Sequence, residues 1–138
     1  MTWIEFHTAS ETAAIQAEEA FRGGDAVNAK RLYETAAESE QRALAAVDSA
    51  KARTRGITAV SAVALWYKAA DFERAEQLAY SMLADPLIPD FARVELRGLV
   101  QAIWTEVSKQ AANVSFLPGQ VLVSVKGGDV ITGGGSRG

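Results

Sequence analysis

One histidine, an adjacent carboxylate pair and a scatter of serines are the residues with the types needed for acid–base or nucleophilic chemistry. His7 has no cysteine and no paired carboxylate near it in the sequence, so a surface or capping role is expected. Glu18 and Glu19 are neighbours on a helical pattern; adjacent helix positions diverge by ~100°, which points them apart rather than into one site. The serines lack a Gly-x-Ser-x-Gly setting. Gly128 and Gly133 have the four-residue gap of a phosphate loop, but Gly134 and Gly135 stand where Lys and Ser/Thr are required. With no cysteine, thiolate metal centres and disulfides are excluded. The expectation is a protein that is not an enzyme and takes no cofactor and no metal.

The elements that would position any site come from the composition. The chain has 138 residues, 49% apolar and 22% charged, close to ordinary for one globular domain. Seven of the 11 glycines fall between Gly119 and Gly138, so the end follows a different rule. The net charge of −3 is uneven: residues 1–50 hold nine acids and four bases, residues 51–112 seven acids and eight bases. No basic stripe stands out, which predicts no nucleic-acid partner. The longest apolar stretch without a charge, Gly56 to Tyr67, is too short for a membrane span, and the start lacks a signal-peptide pattern. A soluble, cytoplasmic protein is expected.

Helical spacing dominates the first ~112 residues. A first helix is predicted to about Arg22, capped at Thr8 or Ser10 with Thr8 and Glu11 as a capping box, and stopped by Gly23-Gly24. Asp25 caps a second, running to about Ala52 with Glu34, Glu38, Glu40, Gln41 and Arg42 on its exposed face. A third spans roughly Thr54 to Ala69. A fourth starts after Asp71, and Pro86 and Pro89 end it. A fifth follows Asp90. From Gln120 to Lys126, and again over Val130 to Thr132, the alternation predicts a short β-hairpin turning at Gly127-Gly128. The expected fold class is therefore mainly α: antiparallel helical hairpins in a repeat-like right-handed layer or bundle, with a C-terminal β-hairpin. The expected domains are a helical one over 1–112 and a hairpin with a Gly-rich tail over 113–138, the latter with a truncated second domain as its alternative reading.

Two segments align at an offset of 46: Gly24-Asp25 and the residues to Leu32 against Ala70-Asp71 and those to Leu78, with Asp, Ala and Leu coinciding. Ala17, Asp25, Ala29, Tyr33 and Ala36 in the first unit, and Val63, Trp66, Asp71 and Ala75 in the second, resemble the tetratricopeptide repeat, a helix-turn-helix unit. The period of 46 departs from that family's 34. Ala79 and Met82 replace its aromatic and its last alanine. A three-helix module that binds trafficking-type helices has a similar Gly-Asp turn.

What the resemblance implies is a groove formed by the inner faces of each unit's first helix. That places Glu18, Phe21 and Arg22 of the first unit and Val60, Ala64, Tyr67 and Lys68 of the second in a partner-binding surface. Arg22 and Lys68 are equivalent cations suited to an acidic peptide or a terminal carboxylate, and Arg93 and Arg97 extend the patch. The expected function is a non-enzymatic interaction module, an adaptor or scaffold, for a peptide or protein partner. The alternative is an N-terminal regulatory or oligomerising segment of a longer multidomain protein. Oligomeric state stays open.

Overall fold

The structure is a computed structural model and describes residues 1–115. They form five helices: α1 (Trp3–Arg22), α2 (Ala26–Ala46), α3 (Ala52–Lys68), α4 (Phe72–Leu83) and α5 (Asp90–Ser115). The expected fold class is corrected to an all-helical one, because the described residues contain no strand. The stretch 120–132 assigned to the β-hairpin lies outside them. Helix-forming residues such as Gln110-Ala111-Ala112 carry α5 past the expected boundary at 112. The chain divides into two compact units, Met1–Val100 and Gln101–Gly138.

Within the first unit each helix packs on the next: α1 on α2, α2 on α3, α3 on α4. The contacts are made by small residues. Ala17, Ala36, Ala37, Ala43, Ala59, Ala62, Ala75 and Ala79 are all fully buried, so backbones approach closely along the seams. Helix α3 is the most deeply packed, with Thr58, Ala59, Ala62, Val63, Leu65 and Trp66 all buried. Its other side, at Ile57, Val60, Ala64 and Tyr67, is half-buried or exposed.

The start of α1 differs from expectation. Thr2, not Thr8, caps α1: its hydroxyl accepts from the Glu5 N–H, and the Glu5 carboxylate accepts from the Thr2 N–H at 2.8 Å. That bond holds the Glu5 carboxyl below its usual range. Trp3, Ile4 and Phe6 are thereby the first turn of α1 itself.

The two hairpin turns have the same geometry at the 46-residue offset. In the first, the Asp25 N–H reaches Ala20 O and the Gly24 N–H reaches Phe21 O, at 2.9 and 3.1 Å. In the second, Asp71 reaches Trp66 O and Ala70 reaches Tyr67 O, at 3.0 and 2.9 Å. This pair of bonds is the Schellman ending. Each Asp then caps the following helix through its side chain, Asp25 to Asn28 N–H and Asp71 to Arg74 N–H, both at 3.1 Å. The ending needs a left-handed residue, supplied by Gly24 at φ 86° and by Ala70 at φ 59°.

The α4–α5 connection is held by charge. Arg55 of α3 meets the Asp85 carboxylate at 2.6 Å, and the same carboxylate accepts from the Leu87 N–H at 2.9 Å. Arg93 of α5 donates to Leu83 O and Asp85 O at 2.9 and 2.7 Å, closing the end of α4. Gly56 lets the loop sit against α3: a Cβ there would lie 2.8 Å from the Pro89 ring and 3.0 Å from Phe91.

Two outcomes follow from these turns and this loop. A left-handed alanine is strained by roughly 1 kcal/mol relative to glycine. Ala70→Gly is therefore expected to raise the urea midpoint and Gly24→Ala to lower it by a similar amount; a loss of stability in Ala70→Gly would contradict the turn geometry. The Leu87 N–H first, and Arg55 second, hold the Asp85 carboxyl below its ordinary range. Its contribution is thus complete above about pH 4, the unfolded value, and is lost as pH falls through the lower folded value. Urea unfolding followed from neutral to acid pH should show a shallower acid decline in Asp85→Asn than in the native chain.

Candidate functional site

The residues assigned to a first-helix groove have varied surroundings. On α1, Glu18 and Arg22 pair with each other at 3.8 Å on an exposed face, and Phe21 is 65% exposed. Both charges act on Tyr33 of α2, whose phenol is pushed up by burial first, then by the Glu18 carboxylate, with Arg22 opposing. On α3, Val60, Ala64, Tyr67 and Lys68 share one helical stripe, and the Tyr67 ring tilts against Phe72 at 5.6 Å. On α5, Arg97 is exposed, while Arg93 is partly buried and engaged with the end of α4.

Two constellations outside that groove hold more structure. The first surrounds His7, which is no isolated surface residue. Its Nδ1 lies 3.0 and 3.2 Å from the two Glu40 oxygens, and its Nε2 lies 3.3 Å from Glu11, one turn along α1. Trp3 stacks on the ring at 4.9 Å with planes 8° apart, and donates its indole N–H to Thr58 of α3 at 3.0 Å. Glu40, expected on the exposed face of α2, is 1% exposed. Helical phase explains this: Ala36, Ala37, Ala43 and Leu44 are buried around it, so position 40 falls inside the seam. A buried carboxylate needs a hydrogen-bonding partner, and the α1 imidazole supplies it. The cluster therefore ties α1 to α2 at His7 and α1 to α3 at Trp3.

The second is a cleft of about 590 Å³ between α2 and α4, floored by Trp66. Helix α2 lines it with Glu38, Gln41, Arg42 and Ala45, and α4 with Arg74, Gln77, Leu78 and Ser81. Each set has i, i+3, i+4, i+7 spacing, one face of a helix. Lys30, near the start of α2, donates to Ala69 O at the end of α3 at 2.7 Å. Helix α4 starts beside that same end, so α2 and α4 run parallel along the cleft. Trp66 is 2% exposed, and its indole N–H donates to Gln41 Oε1 at 2.8 Å. The Arg74 guanidinium stands 4.9 Å from the Trp66 ring centroid, near Asp71 at 3.6 Å and Glu38 at 3.9 Å. One end of the cleft is thus bridged by Glu38 and Arg74, while the other lies between the small side chains of Ala45 and Ser81.

Trp66 and Asp71 were legible as repeat positions, but nothing in spacing alone marked Gln41, Arg42, Gln77 or Ser81 as more than a solvated face. The signal available was their i, i+3, i+4, i+7 recurrence on two helices that the 46-residue repeat makes parallel. Among the described residues, no three His, Asp or Glu side chains gather to hold a metal ion, and no helix is long and apolar enough to cross a membrane.

The His7 pair has a measurable consequence. Removing the ring in His7→Ala leaves the Glu40 carboxylate buried without that partner, at an expected cost of about 3 kcal/mol in urea unfolding. Replacing both residues by leucine should cost less than His7→Ala alone, because no lone charge remains; an equal or larger loss in the double variant would sink this account. Compared with protein-family models, with curated proteins and with solved structures, the chain matches none of them.

Proposed function

We propose that the chain is a non-enzymatic interaction module that holds a segment of a partner protein in the cleft between α2 and α4. The observation that supports this reading is the cleft itself: about 590 Å³, walled by two parallel helix faces over a buried tryptophan. That volume lies within the ~300–1,000 Å³ range of binding pockets. Its lining mixes an apolar side chain, Leu78, with amides, a hydroxyl and charges, the mixture that recognition of a polypeptide uses at an interface. The cleft replaces the first-helix groove as the binding surface in this reading. Arg22 is paired with Glu18, and Arg93 is engaged inside the fold.

The cluster at His7 has the carboxylate–imidazole pair that general-base chemistry employs. It is tied into the helix seam, however, with both ring nitrogens facing carboxylates and Trp3 on one face. A fastening role for α1 accounts for each of these contacts.

Ala45 is exposed at the rim of the cleft, so Ala45→Trp fills the opening without entering the core. A random peptide display library panned on the full chain should enrich peptides that bind the native chain and fail on Ala45→Trp, with thermal unfolding confirming that the variant keeps its fold. Enriched peptides that bind both chains equally, or no enrichment at all, would overturn the assignment.

A further inference from the structure

We infer that the segment held between α2 and α4 is a short amphipathic helix that presents a carboxylate to Arg42; this rests on the reading of the cleft as a peptide site. Charge points to the carboxylate. Three charged side chains line the cleft, and two of them, Glu38 and Arg74, face each other at 3.9 Å. Arg74 is further held by Asp71 and by the Trp66 ring. Arg42 lies one turn beyond Glu38, is exposed, and makes no ion pair among the described residues. The planar guanidinium is the side chain best shaped for a two-point carboxylate contact.

Backbone chemistry points to the helix. An extended guest brings one N–H and one C=O per residue that need partners. The walls are helices whose own main-chain groups are bonded internally, so they offer no strand edge to augment. The side chains offer little more, since Gln41 already accepts from the Trp66 indole. A guest helix satisfies its own backbone and needs only side-chain contacts. The two walls match such a guest in length. Seven residues of rise separate Glu38 from Ala45 and Arg74 from Ser81, about 10.5 Å or two turns. Arg42 and Leu78 each lie four residues beyond the Glu38–Arg74 pair on their own wall, and the small Ala45 and Ser81 follow them. The guest face is thereby an acid directed at Arg42 and a large apolar residue over Leu78, three or four positions apart.

The test uses the full chain and peptides that the display library enriches on it but not on Ala45→Trp. Sequencing those peptides should show Asp or Glu three or four residues from a large apolar residue. By fluorescence polarisation, Arg42→Glu should weaken their synthetic versions roughly tenfold or more. Replacing the peptide's acid by Lys should restore binding to Arg42→Glu, and a central Pro should abolish binding to the native chain. Cleft-dependent peptides without an acid, or binding indifferent to Arg42→Glu, would overturn the carboxylate and leave the cleft reading standing. Tolerance of the central Pro would overturn the helix. Absence of any peptide sensitive to Ala45→Trp would overturn the cleft reading together with this inference.

Discussion

The helices of the first unit meet through alanine, and that choice constrains the rest. Ala17, Ala29, Ala36, Ala37, Ala43, Ala59, Ala62, Ala75 and Ala79 are buried at or near zero exposure. Alanine is the strongest helix former, so the same residues build the helices and let them approach. The side effect is energetic. Each alanine removes little apolar surface from water, whereas a fully buried leucine or phenylalanine side chain contributes ~1.5–3 kcal/mol. Small, smooth seams also define register weakly, because a methyl group in a shallow groove can slide to the next turn at little cost.

Polar contacts across the seams supply the missing register. Trp3 reaches Thr58, His7 reaches Glu40, Trp66 reaches Gln41 and Lys30 reaches Ala69 O. Each joins two different helices through a partner that a one-turn slip would move by ~5.4 Å, well beyond hydrogen-bond reach. These bonds fix the phase of α1, α2 and α3 more sharply than the alanine seams can. The cleft depends on this phase, since Gln41 and Trp66 belong both to a register contact and to its lining.

How much of this was legible in the amino-acid sequence varies with the distance between partners. Local signals succeeded. Asp25 and Asp71 were readable as caps because each acts on an N–H three residues on, and the 46-residue repeat reappears as two turns with the same bonds. One local signal misled: Thr2-x-x-Glu5 and Thr8-x-x-Glu11 both fit a capping box, and only the first sits at a helix start, while Glu11 turns to His7. Long-range contacts were unreadable. His7 looked isolated because Glu40 is 33 residues away, and Glu40 looked solvated because it stands in a polar run, Glu38 to Arg42. The β-hairpin expectation rests on alternation and on the Gly127-Gly128 turn signal, and the described residues hold no strand.

The same logic explains why the cleft, rather than the first-helix face, is the more distinctive surface. A face built of residues that pair along their own helix, as Glu18 and Arg22 do, presents satisfied charges, and such exposed pairs contribute at most ~1 kcal/mol. In the cleft the polar groups meet partners on other helices: Glu38 of α2 and the Trp66 ring of α3 flank Arg74, and Trp66 fixes Gln41. Their positions are therefore set before any ligand arrives, which lowers the ordering cost of binding. The alanine seams make this arrangement possible, because only a close approach of α2, α3 and α4 brings long side chains from three helices to one floor.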